Sequence, residues 1–117
     1  MEPDMTPTRE ELLALAERVE ALKEPCFATE CEIEHAVSPH WTGEGLPNLY
    51  TASLDAAMSL RPEGWEFTVG LDAGEGWACV MPAGGIYPAE LEKDGYAATP
   101  ALALTAVALR ALAETAR

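Results

Sequence analysis

The spacing of hydrophobic positions changes several times along the chain, and the changes mark its elements. Between residues 8 and 23, Leu12, Leu15, Ala16, Val19 and Leu22 recur three and four apart, the stripe of an amphipathic helix. Thr8-Arg9-Glu10-Glu11 opens it as a capping box: the threonine hydroxyl accepts from the third helical N–H, and Glu11 reaches back. Pro25 ends it. Residues 29–37 predict a shorter helix with Ile33, Ala36 and Val37 inward, stopped by Ser38-Pro39. Residues 53–60 predict a third, capped by Ser53, ended by Arg61-Pro62, and burying Leu54, Ala57, Met58 and Leu60.

The period then falls to two. Trp65, Phe67, Val69 and Leu71 alternate with Glu66, Thr68 and Gly70, which predicts a half-buried strand over 65–71. Asp72-Ala-Gly-Glu-Gly76 is a hairpin turn signal, and 77–81 form the returning strand. Residues 90–93 predict a short third strand before a turn at Asp94-Gly95. Thr99-Pro100 is a strong helix start. The helix that follows, about 17 residues and roughly 25 Å long, carries no charge on any face of its first half. It therefore needs cover nearly all round, from the sheet on one side and from other helices or a second subunit on the rest. Arg110, Glu114 and Arg117 mark its wet stripe. The reading is α+β: a compact α-β-α layered single domain over 8–117, behind a flexible leader at 1–7. It has a small antiparallel sheet of 2–4 strands, helices on both faces and a buried C-terminal helix.

Composition narrows the classes of function. The 117 residues suffice for one core, and 49% of them are apolar. Formal net charge is −13, which repels phosphate backbones and anionic membrane surfaces and favours a basic partner. Acids crowd the N-terminal half. No basic and apolar leader marks a secretory signal, and the longest uncharged apolar run, 97–109, is shorter than the about 20 residues that span a bilayer. Three cysteines make no even disulfide framework, so a cytoplasmic protein with reduced thiols is expected.

Tyr50-Thr-Ala-Ser-Leu-Asp-Ala-Ala, Pro62-Glu-Gly-Trp65 and Ala97-Ala-Thr-Pro-Ala-Leu-Ala-Leu, with Glu30-Cys-Glu-Ile33 before them, resemble the small phage and prophage proteins called phage ABA sandwich domain proteins. The resemblance covers most of the chain from residue 8 and is poorest at 38–49 and 72–95. It implies an α-β-α layered fold and a phage or prophage origin, in a bacterial host cell. It implies no reaction.

Candidate chemistry is thin. Glu10, Glu17, Glu20 and Glu24 fall along one solvent-facing stripe of the first helix. Such a stripe is ordinarily a solvated face; its functional reading is a docking surface for a basic protein. Trp41, Tyr50, Trp65, Trp77 and Tyr87, with Tyr96, are many large aromatics for a small sheet. Core and loop packing accounts for most such residues; the alternative is a stacking pocket for a small nucleotide, with Arg61 or Lys93 supplying positive charge. Cys26, Cys31, His35 and His40 form a weak metal candidate, Cys31 and His35 sharing a helical face, but at spacings foreign to common zinc modules. A cysteine nucleophile with His35 or His40 lacks an oxyanion loop. Asp55 suits a helix N-terminus, and Gly84-Gly85 a turn rather than a phosphate loop.

No cofactor and no enzymatic activity are expected. The functional expectation is a non-enzymatic binding protein acting on a basic host protein surface such as a defence complex. A small-nucleotide sponge and a virion or assembly accessory are the alternatives. A homodimer is expected from the uncharged terminal helix.

Overall fold

The computed structural model describes residues 8–38, 41, 43 and 45–115. Helix α1 (Arg9–Ala21) is followed by α2 (Phe27–Val37) and the short α3 (Leu54–Met58). Strands β1 (Trp65–Asp72) and β2 (Glu75–Pro82) form a hairpin. A single 3-10 turn (Ala89–Leu91) leads into β3 (Lys93–Ala97), and α4 (Pro100–Thr115) closes the fold. The sheet is antiparallel with order β1-β2-β3. The expected leader at 1–7, and Arg117 of the expected wet stripe, lie outside the described residues.

Local signals act as their chemistry dictates. Thr8 caps α1 by accepting from the Glu11 amide at 3.1 Å, Ser53 caps α3 by accepting from Ala56 at 3.3 Å, and Thr99 caps α4 by accepting from Leu102 at 3.2 Å. The hairpin needs two residues with positive φ, the geometry that matches strand twist; Ala73 (52°) and Gly74 (86°) supply them.

Helix α4 is the core. Ala101 through Leu109 are all buried, as are Ala111 and Ala113. Leu102, Leu104 and Leu109 are wholly enclosed, each contributing about 2 kcal/mol of burial. On one side α4 meets all three strands; on the other it meets α1, with α3 beside it and α2 against α1. The helix expected to need cover nearly all round is thus covered within one chain. The argument for a homodimer drawn from its uncharged faces is met without a second subunit.

The architecture is the expected compact α+β one, a three-stranded antiparallel sheet with four helices and the C-terminal helix packed on the sheet. Paired residues share a face of an antiparallel sheet, so Phe67, Val80 and Lys93 lie on one face with Val69, Ala78 and Gly95. That face receives α4. The opposite face carries Glu66, Thr68, Trp77, Cys79, Asp94 and Tyr96; Glu92 reaches over part of it to Cys79, which is buried. The layers run sheet, α4, then α1 with α2 and α3. The buried C-terminal helix, as expected, joins the sheet to the remaining helices.

Asp94-Gly95, expected as a turn, lies inside β3. Its glycine answers to packing instead: a Cβ there would stand 3.0 Å from Glu20 Oε2 and 3.3 Å from Val107 Cγ1. Leu54, expected inward, faces solvent, while Ala57 and Leu60 are buried; α3 is too short to bury more than one side.

The closest approach is at Gly76, where a Cβ would stand 2.1 Å from the Thr99 carbonyl carbon and 2.2 Å from its oxygen. Backbone cannot yield as a side chain tip can. Gly76→Ala is expected to destabilise the fold by about 3 kcal/mol, read from the urea midpoint. Gly70→Ala, which meets nothing within 4 Å, should move it by at most about 0.5 kcal/mol.

Candidate functional site

Two carboxylates that periodicity assigns to solvent are buried. Glu30 and Glu34 stand one turn apart on α2 and are 3% and 5% exposed. Glu30 accepts from the Thr51 amide at 3.1 Å and from its hydroxyl at 2.7 Å; that hydroxyl accepts in turn from the Cys26 amide at 2.9 Å. Glu34 accepts from the Asn48 amide at 2.8 Å, the Asn48 side chain at 3.1 Å, the Ser38 hydroxyl at 2.5 Å and the Tyr50 hydroxyl at 3.1 Å. The Tyr50 carbonyl accepts from Thr105 of α4 at 2.6 Å. Residues 48–51 are therefore clamped between α2 and α4. Burial alone would push the Glu34 carboxyl up, and it is the largest single influence. The donors from Ser38, Asn48 and Tyr50 together outweigh it and hold the carboxyl below its ordinary value. Burial, with the Glu34 charge adding to it, pushes the Tyr50 phenol up to about 12.

This arrangement is structural. Both oxygens of Glu34 and Oε2 of Glu30 are taken by donors from the chain, so the pair is spent on holding residues 48–51. In the sequence Glu30-Cys-Glu-Ile33 carries a family resemblance and no chemical signature of its own. The available further signal was four acceptors' worth of charge opposite Asn48, Tyr50 and Thr51, three donors in four residues.

The aromatic candidates do not meet in one place. Tyr50 is locked to Glu34. Trp41 lies 4.6 Å from the His35 ring, tilted by 59°. Arg61 lies over the Phe67 ring at 5.1 Å and lines a groove of about 340 Å³ with Trp65, Glu66 and Met81. Trp77 stands on the far face of the sheet, next to Tyr96 in register. Tyr87 reaches toward the same face: partial burial first, then the charges of Glu92, Cys79 and Glu66, push its phenol up. Lys93 is committed to Glu114 at 2.7 Å.

The acidic stripe is also divided. Glu10 and Glu17 are exposed on α1. Glu20 instead forms a two-pronged pair with Arg110, at 2.7 and 3.0 Å, which joins α1 to α4 above Gly95. Glu24 lies beyond the helix end at Ala21. Glu114, expected on a wet stripe, links Lys93 of β3 and Arg9 of α1, and Lys93 above all holds its carboxyl low.

Cys26, Cys31 and Cys79 are free thiols. Among the described residues no group of three His, Cys, Asp or Glu side chains converges on a metal-sized space; His40 lies outside them. His35 packs against Trp41 rather than toward a thiol. Cys26 begins α2, and hydrogen bonding from Thr29 draws its thiol down. Cys79 is buried, donates to Glu92 at 3.3 Å, and is pushed up to about 12 by burial and by the Glu92 and Asp94 charges. It makes a poor nucleophile. Asp55 occupies the first turn of α3, and Gly84 and Gly85 form the turn after β2.

No protein-family model, curated protein or solved structure matches the chain. Among the described residues no helix is long and apolar enough to cross a membrane.

Two measurements check this account. Glu34 has a depressed folded pKa, so its stabilisation is complete above the ordinary value of 4.5 and is lost as pH falls through the folded one. The urea midpoint should fall with pH below about 4.5, and Glu34→Gln should lower it at neutral pH and flatten that fall. A chromogenic disulfide at pH 8 should label Cys26 and Cys31 readily and Cys79 only on unfolding.

Proposed function

We propose that the chain is a non-enzymatic binding protein that engages a basic protein surface. The observation that carries this reading is how the charges are spent. Of seven basic residues, Arg9, Arg18, Lys93 and Arg110 pair with Glu114, Glu32 and Glu20 inside the chain. The two fully buried carboxylates are satisfied by neutral donors. Most of the 20 acids are left exposed with few cations to answer them. A field of that sign steers a basic partner to the surface and repels nucleic acid and anionic lipid.

The sequence resemblance supports a phage or prophage origin, and with it a host target in the bacterial cytoplasm, such as a nucleic-acid-binding defence complex. A nucleotide sponge has less support. Arg61 lies on Phe67, and Glu66 in the same groove opposes a phosphate.

The test is cross-linking in a bacterial host, identification of the captured protein, and reconstitution from purified components. The expected target carries a basic surface, and raising salt from dilute to several times physiological should weaken the complex about tenfold or more. A salt-insensitive complex with an acidic target would overturn the reading.

A further inference from the structure

We infer that the face of the sheet turned away from α4, at its open end around Trp77 and Tyr96, is the surface that takes the partner's lysine and arginine side chains. This rests on the function proposed above and names the surface for it. Trp77 sits on the middle strand, opposite Gly70 of β1 and Tyr96 of β3. Gly70 has no side chain to lay over the indole, and Trp77 is half-buried. Tyr96 flanks the other side, 47% exposed, and is held there by donating from its hydroxyl to Asp72 at 3.1 Å across the sheet. Asp72 raises the Tyr96 pKa through that same bond.

The charged side chains in register on this face are carboxylates, with Lys23 bordering it beside Glu75 and Tyr96 and Arg61 beside Glu66. In register, the positions sharing this face are Glu66, Thr68, Gly70 and Asp72 of β1, Glu75, Trp77, Cys79 and Met81 of β2, and Asp94 and Tyr96 of β3. Four of the ten are acidic and none is basic. The strand's one lysine, Lys93, points to the opposite face and is tied to Glu114.

An aromatic face ringed by negative charge attracts a cation through both the ring quadrupole and Coulomb's law. A second copy of the chain is a poor occupant, because it would bring the same carboxylates against these. A basic protein segment is the complementary one. The face differs from the α1 stripe in having something for an alkyl stem or guanidinium plane to lie on. The stripe has lost Glu20 to Arg110 and offers charge without an apolar floor.

The experiment titrates the isotope-labelled full chain with a deca-lysine peptide and follows backbone amides and the Trp77 indole N–H by NMR. Shifts should concentrate on Trp77, Asp94, Tyr96 and Gly70. Trp77→Ala leaves net charge unchanged and should weaken the peptide about fivefold, as loss of one cation–π contact implies. Glu10→Gln with Glu17→Gln, which removes two charges, should cost less. Shifts concentrated on α1, or a Trp77→Ala variant that folds and binds as before, would overturn the surface assignment and leave the proposed function standing. A chain that ignores the peptide altogether would overturn both. A dimer in sedimentation whose interface is this face would overturn the assignment in favour of a second copy.

Discussion

Helix α4 is buried on both sides, and the rest of the molecule is arranged to make that possible. A helix without charge on most of its circumference is stable in water only when covered. Three strands cover one side, and α1 and α3 the other. The alanines that fill the helix let the layers close up, but they bring little apolar area each, so close approach must supply contact that side-chain bulk does not. Gly76 and Gly95 follow from this. Both stand where the sheet comes nearest to the helix or its start, and a Cβ would push the layers apart at either point.

Polar groups fix what the alanine-rich core leaves free. Small apolar residues can slide; a two-pronged arginine pair cannot, because its geometry is specified in the plane. Arg110 with Glu20 sets α1 against α4, and Glu114 gathers Lys93 and Arg9 at the far end. Glu30 and Glu34 do the same for residues 48–51, using neutral donors. Burying a carboxylate is costly unless it is hydrogen-bonded. Among the described residues every buried side-chain nitrogen and oxygen has a partner.

Elements whose signals are local were legible in the sequence. Thr8, Ser53 and Thr99 announce helix starts, proline follows helix ends, and alternation from Trp65 announces a strand. What was not legible depends on residues distant in the chain. Gly95 looks like a turn until Val107 is known to lie against it. Glu30 and Glu34 look like solvated acids until Asn48, Tyr50 and Thr51 return to them. The aromatic candidates share a residue type but not a place: Trp65 and Trp77 lie on opposite faces of the sheet, Tyr50 is bound to Glu34, and Trp41 packs on His35. Alternation in β1 announces the antiparallel sheet and its apolar face, while which side chains meet that face depends on α4, distant in the chain.

The face turned away from α4 changes the meaning of the chain's charge. Spread over a closed globule, 13 excess negative charges would only aid solubility and cost some stability by self-repulsion. Here the basic residues that pair serve to join layers on the helical side: Arg110 at α1, Lys93 and Arg9 at Glu114, Arg18 between α1 and Glu32 of α2. The aromatic side of the sheet carries four carboxylates in register, with Lys23 and Arg61 at its borders. Folding could have placed Lys93 there by a one-residue slip, but the register puts Asp94 and Tyr96 outward instead, and Gly95 under α4 forbids the slip. The packing that seats the core therefore also fixes the sign of the exposed face.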